Sequence, residues 1–332
     1  MKGIIIFIVC ACFYSCSGDN QKFNRNVVDL SFEEMMIEPF VGNPYQIVVA
    51  DNLLILADDI DGKALLLYNL ENNSSRRVLD IGQGTNEIIS PIDLDVYNNE
   101  LVVLQRRTGE CRSYNFDKLY KDKVPEYQKI ILNNSDRCCK TDYGYVFMGF
   151  DENNIFACYN LEDSICSSVD FDEYVIEDLP LKYKLFQGKL AYSKQTETLV
   201  YAPTFSSYIK FYVWNNGKWK LKTSFPVGKN IIENRVVEKT KLDINERDIR
   251  HCLDICASDK HFYILYDGLE LGNKNKEIDR YILKFTSDGE YIGSYRVDAT
   301  IRNICISKDR ILYALMNSKK DGEPIIGKTI VK

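Results

Sequence analysis

Histidine is nearly missing from this chain: the 332 residues contain two, His251 and His261. No Cys-x-x-Cys pair accompanies them, so the usual nitrogen and sulfur ligands of a zinc site are not gathered in the sequence, and no metal site is expected. A basic excess is missing too. Lys and Arg number 42 against 48 Asp and Glu, a net charge of −6. That balance disfavours nucleic acid as a partner, because neutralising phosphates needs a basic surface. No G-x-S-x-G elbow, H-E-x-x-H helix or paired-carboxylate motif occurs. No catalytic residue can therefore be named, and a non-enzymatic role stands ahead of an enzymatic one. Long helical periodicity is absent outside the charged segment 234–247, read here as an insert between repeats. No Pro/Ser/Gly-rich stretch separates two domains, and all-β single domains often reach this length.

What is present begins at the N-terminus. Lys2 precedes an apolar run over 3–14, too short for the roughly 20 residues that span a bilayer but matched to the core of a signal peptide. Ser15-Cys16 at its end resembles a lipobox, in which Cys16 would be acylated; Cys12 is a second candidate, and an ordinary secretory leader is the alternative. The expectation is a lipoprotein signal over 1–16, a polar tether over 17–26 and one domain over 27–332. Such a chain is anchored to the outer membrane of a cell envelope, periplasmic or surface-exposed, and meets the membrane through its lipid alone.

The mature chain repeats itself. DLDVYNNELVVL (93–104), DICASDKHFYIL (254–265) and NICISKDRILYA (303–314) align without a gap. Each is a short apolar strand, a polar turn and a second strand rich in β-branched and aromatic residues. Asp61-Gly62, Asn216-Gly217, Asp288-Gly289 and Asp321-Gly322 add hairpin signals. The 22 Tyr and 16 Phe against 5 Met also suit a β-rich core. One such unit cannot bury its faces alone, which points to a β-propeller. Units start near Gln46, Asp93, Arg137, Ala191, Asp254 and Asn303, predicting an all-β, six-bladed β-propeller of four-stranded antiparallel blades. The segment 26–32 is expected to close the ring as the outer strand of the last blade. A β-sandwich or two smaller β domains is the competing arrangement.

Beyond the leader, eight cysteines remain: Cys111, Cys138, Cys139, Cys158, Cys166, Cys252, Cys256 and Cys305. An even number in an exported protein permits disulfides, but several sit in apolar strand patterns, where Cys acts as a small hydrophobe. Buried free thiols are the expectation. Cys256 and Cys305 fall where Asp95 stands in another repeat.

The stretch 81–117 carries Gly82, Gly84 and Glu87, then Pro91, Leu94 and Val96, and ends in Tyr114-Asn115-Phe116-Asp117. With the echo at 281–289 it resembles the TolB-like or NHL-like six-bladed propeller lipoproteins of Gram-negative gut anaerobes. The resemblance implies a fold and an envelope address. Most members have no assigned activity, so it brings no catalytic residue. The glycines do not form a dinucleotide fingerprint, since the third glycine is missing and no helix follows. They are expected to permit a tight crossing between blades, with Glu87 satisfying backbone donors.

In a propeller the innermost strands line the central channel, and its recessed mouth is where ligands usually sit. Gln46, Asp93, Arg137, Asp254 and Asn303 take equivalent leading positions, with apolar Ala191 in the fourth unit. They either hold a polar ligand or partner, or cap their own strands and bond channel water. Arg250, His251 and Arg302 just precede two leading strands and would place positive charge at the mouth, suited to a carboxylate or an acidic sugar. His251 is the one general-base candidate by its ordinary pKa, although a lone His is more often structural. Trp214 and Trp219 flank a turn and either pack across the hairpin or stack on a sugar. Two functions follow. The first is a monomeric, cofactor-free binding or scaffold module for an envelope protein, a polar small ligand or a glycan. The second is a cation-dependent hydrolase, lactonase-like or carbohydrate-processing, holding Ca²⁺ with Asp93, Asp254 and Asn303, but lacking a Glu among the leading positions.

Overall fold

The computed structural model describes residues 23, 26–38, 41–121, 125–149, 156–161, 166–169, 179–228, 244–273 and 280–332. The signal segment with Cys16, most of the tether and most of the charged insert lie outside the described residues.

Two N-terminal strands, β1 (Val27–Leu30) and β2 (Glu33–Met35), come first. Blade 1 is β3 (Gln46–Ala50), β4 (Leu53–Ile60), β5 (Lys63–Asn69) and β6 (Ser75–Asp80). Blade 2 is β7 (Ile92–Tyr97), β8 (Glu100–Gln105), β9 (Glu110–Asn115) and β10 (Tyr127–Ile131), with helix α1 (Phe116–Lys121) between the last two. Blade 3 is β11 (Ser135–Thr141), β12 (Gly144–Gly149), β13 (Phe156–Tyr159) and β14 (Cys166–Ser168). Helix α2 (Leu179–Phe186) leads into blade 4, β15 (Gly188–Ser193), β16 (Thr198–Pro203), β17 (Tyr208–Asn215) and β18 (Lys218–Pro226). Blade 5 is β19 (Ile249–Ala257), β20 (His261–Glu270), β21 (Arg280–Thr286) and β22 (Tyr291–Val297); blade 6 opens with β23 (Thr300–Ile306), β24 (Ile311–Asn317) and β25 (Pro324–Ile330).

Within every blade the strands pair antiparallel in chain order. The innermost strands β3, β7, β11, β15, β19 and β23 each pack on the next, and β23 packs on β3, so the ring is closed. The fold is a six-bladed β-propeller. Hairpin chemistry is as the sequence indicates: Asp61-Gly62 and Asn216-Gly217 both turn through positive φ, which a glycine adopts without steric cost.

The core is divided. Six apolar clusters fill the six blade interfaces, one to each. The second strand of blade 2 shows why its run is continuously apolar. Leu101 and Val103 face blade 1 while Val102 and Leu104 face blade 3, so both faces of the sheet are buried.

Closure by an N-terminal strand holds, with one correction. The outer strand of blade 6 is β2, which pairs Glu33 with Lys328 and Met35 with Ile326. The strand within 26–32, β1, lies instead beside β22 in parallel and gives blade 5 a fifth strand. The chain thus crosses from one blade to the next, and spends two strands where one was expected. The expected tether also contains an anchor: Phe23 is fully buried against Phe225, Tyr266 and Tyr291. Its carbonyl accepts the hydroxyls of Tyr291 and Ser294.

Candidate functional site

The six innermost strands share one register. Residue 46 precedes turn residue 51 by five, and the same interval links 93 to 98, 137 to 142, 254 to 259 and 303 to 308. In blade 4 that interval leads from turn residue 194 back to Lys189, not to Ala191. The sequence alignment slips by two there because the hairpin beyond Lys189 is two residues longer: Lys189 lies opposite Ala202, whereas Asp93 lies opposite Leu104 and Asp254 opposite Leu265. A slip of two leaves every side chain on the same face of the strand, so the apolar pattern gives no warning. The true leading ring is Gln46, Asp93, Arg137, Lys189, Asp254 and Asn303. Ala191 belongs to the next ring along, with Val48, Asp95, Cys139, Cys256 and Cys305.

Much of this polarity joins blades. An innermost strand has no ladder to the neighbouring blade, and the leading side chains supply the missing hydrogen bonds. Gln46 of blade 1 brackets Leu94 of blade 2: its Oε1 accepts the Leu94 N–H at 2.9 Å and its Nε2 donates to the Leu94 carbonyl at 2.9 Å. Asp93 Oδ2 accepts the Cys138 N–H of blade 3 at 3.1 Å, and Asp254 Oδ2 accepts the Ile304 N–H of blade 6 at 2.8 Å. The donating N–H is each time one residue past the next leading position. Asp95 repeats the device one step deeper, accepting the Lys140 N–H at 2.7 Å. Asn303 hydrogen-bonds the Asp254 carboxylate.

The cations are served less evenly. Arg137 lies 3.7 Å from Asp93 and 3.1 Å from Asp136. Asp136 also takes Arg106 and the Tyr183 hydroxyl from α2, so Arg106 is part of this cluster. Lys189 has Asp254 at 3.9 Å, the limit of an ion pair. Burial pulls the Lys189 ammonium below its usual range; the Arg137 guanidinium adds to this, and Asp254 opposes it. Asp254 is raised by burial against the pull of Lys189. For Arg137, burial alone would lower the guanidinium, but Asp93 and Asp136 outweigh it. Burial lifts Asp95 to about 7 against the backbone N–H groups of Lys140 and Val96, with Asp93 adding repulsion. Asp95, Arg137 and Lys189 keep some water-accessible surface while enclosed by protein, as expected of a channel wall.

The three residues expected at the mouth have different fates. Arg250 shares the buried Asp267 with Arg280. His251 is 1% exposed, packed on Gly228 and stacked on Tyr266 in the interface of blades 4 and 5. Arg302 donates from Nη1 to Asn43 Oδ1 at 3.3 Å, while its buried Nε and Nη2 have no partner among the described residues. Burial lowers its pKa. Trp219 is buried, and Trp214 stacks on Tyr143 at 4.5 Å, so the tryptophans pack across their hairpin and onto blade 3. Glu87 accepts the Gly84 N–H at 2.7 Å, and a side chain at Gly82 would collide with it, so the glycine element is a compact crossing.

Lys189, Asp136 and Tyr183 were not legible as site residues. Among the described residues no group of three or more His, Cys, Asp or Glu side chains is placed to hold a metal ion, and no helix is long and apolar enough to cross a membrane.

No protein-family model matches the chain. No curated protein matches it. Solved structures do. A protein of Bacteroides fragilis described as exported is 13% identical, with a TM-score of 0.61 over 92% of this chain and 95% of that one. A member of the DUF4221 family from Bacteroides vulgatus is 10% identical, with a TM-score of 0.51 over 90% and 97%. The calcium-binding protein regucalcin of Agrobacterium tumefaciens is also 10% identical, with a TM-score of 0.51 over 91% and 94%. At these identities the likeness is one of fold: the chain is similar to all three as a propeller.

Proposed function

We propose that this chain is a non-enzymatic binding propeller of the cell envelope that takes a small carboxylate-bearing ligand, such as an acidic sugar, at the channel mouth. The observation that carries this reading is the uneven pairing of charge. Asp93 and Asp254 spend an oxygen on backbone N–H groups, and Asp267 is shared by two arginines. Lys189 is left with one distant carboxylate. An ammonium held in such a channel is stabilised by an anion that brings its own charge. Arg137 beside it and Asn303 across Asp254 supply further donors. An envelope protein presenting an acidic loop is the alternative occupant of the same mouth. The envelope address rests on the leader, on Cys16 as the acylated residue and on the TolB-like or NHL-like grammar of 81–117; the membrane is met through that lipid, and the domain acts as a monomer without a cofactor.

The cation-dependent hydrolase keeps a likeness of fold to regucalcin but gains no ligand set among the described residues, where the two aspartates it needs each spend an oxygen on a neighbouring blade. The test is calorimetric titration with galacturonate and with galactose. Galacturonate should bind and galactose should not. Lys189→Met should weaken binding by about tenfold or more, the loss of one charge-assisted contact of roughly 1.5–3 kcal/mol. Equal binding of the neutral sugar, or an unchanged affinity in Lys189→Met, removes the reading. Ca²⁺ binding abolished by Asp254→Asn would restore the hydrolase.

A further inference from the structure

Phe23 fixes where the N-terminal segment joins the propeller. It is buried in the cluster between blades 4 and 5, against Phe225 of β18 and Tyr291 of β22. Those are the outer strands that the two blades build for themselves, so the segment meets the domain at its rim and not at the channel. Seven steps of chain separate Phe23 from Cys16. Fully extended, they span at most about 25 Å. The rim at that point is chemically distinct. β18 reads KWKLKTSFP, and Lys218, Lys220, Leu221 and Lys222 are all exposed. The strand holds three lysines and no acid, in a chain whose net charge is −6. The outer strands β2, β6, β10, β14 and β22 carry at most two like charges each. Lys222 meets Asp288 of blade 5, and Asp29 of β1 is matched by Arg296. Val28 of β1 and Ile292 of β22 add exposed apolar side chains to the adjoining rim.

We propose that the outer strand of blade 4 lies against an anionic lipid surface, that of the membrane holding the Cys16 anchor. This rests on the envelope address proposed above and adds a protein contact to the lipid. The Lys218 and Lys220 ammonium groups meet headgroup phosphates, and Leu221, Val28 and Ile292 face the headgroup layer. Each lysine close to an anionic surface favours contact by about fivefold. That is weak for a free domain, but a short tether makes the contact intramolecular, so a weak surface suffices. A propeller resting on its rim has its channel axis along the membrane plane. The mouth with Arg137 and Lys189 then opens sideways, clear of the bilayer.

Both tryptophans are in blade 4, and Trp219 is on β18 itself, so energy transfer from tryptophan to dansyl-labelled lipid reads this contact. The full-length chain, purified from an envelope fraction, is placed in phosphatidylethanolamine vesicles with or without phosphatidylglycerol. Its intact mass reports acylation of Cys16. Transfer should be strong with phosphatidylglycerol and fall without it or at molar salt, where screening is nearly complete. The double variant Lys218→Gln, Lys220→Gln changes only exposed side chains and should reduce the contact by about 25-fold, two lysines at about fivefold each. Should Cys16 prove unacylated, the chain starting at Ser17 is held to nickel-chelating vesicles by an N-terminal His-tag. The same dependence on phosphatidylglycerol and on the two lysines is expected there, in which case the anchor falls and the surface stands. Transfer that is equal in both vesicles, or that is unchanged in the double variant, overturns the proposal.

Discussion

Asp95 is the residue at which structure and titration are most tightly joined. It clamps blade 2 to blade 3 through the Lys140 N–H and stands near Asp93. Burial lifts its carboxyl to about 7, well above the ordinary range near 4. A carboxyl raised in the folded state is protonated there while the unfolded chain is ionised, so it weakens the fold as pH rises from about 4 through 7. Asp95→Asn keeps an oxygen to accept the Lys140 N–H and removes the charge. The variant should melt above the parent at pH 8, by up to a few kcal/mol for a shift of this size, and the gap should close near pH 4.5. Thermal melts at the two pH values check it. A gap that persists at pH 4.5 would place the effect in packing, not ionisation. The sequence showed Asp95 only as the odd residue among cysteines. Its role needed the neighbouring strand, because its hydrogen bond reaches across 45 residues of chain.

Elements were legible in proportion to how local their signals are. The hairpins of blades 1, 2, 5 and 6 could be read from strand periodicity and turn residues, both confined to a few positions. The closing strand could not be placed exactly by such signals, since β2 has three residues and owes its place to β25, roughly 290 residues away. Lys189 was hidden by the longer turn after β15, and the cluster of Arg106, Asp136 and Tyr183 by its origin in a loop, a strand end and a helix. The two N-terminal strands should separate in a truncation series. A chain starting at Phe32 loses Phe23 and β1 but keeps the ring closed; it should stay folded and monomeric, weaker by about 5 kcal/mol for the buried Phe23 and the partly buried Val27 and Leu30. A chain starting at Ile37 also loses β2 and bares the edge of β25, whose Ile330 is already 71% exposed. Exposed strand edges recruit other chains. Size-exclusion chromatography should show aggregation for the second truncation alone, and equal behaviour of the two would mean that β2 does not close the ring.

At the scale of the whole molecule, the core sits between blades and not within them. Each apolar cluster draws its residues from two neighbouring blades, and the innermost strands are cross-linked by the side chains of Gln46, Asp93, Asp95 and Asp254. A blade that lost its neighbours would expose both faces of its sheet. The ring is also closed, so it has no terminal blade from which unfolding could begin cheaply, unlike an open repeat array. Unfolding should therefore be one cooperative event. The chain carries a natural probe of this. Both tryptophans are in blade 4 and pack on Tyr143 of blade 3, Trp214 face to face and Trp219 edge-on. Their fluorescence reports that interface, while far-UV circular dichroism reports every blade. If blades came apart separately, the two signals would show different midpoints in urea. Closure predicts that they coincide, with one midpoint and one slope in urea. The chain starting at Ile37 is the control: with the ring open, any fraction kept soluble should show fluorescence and dichroism transitions that separate, because blades 6 and 1 can then peel away while blade 4 remains packed.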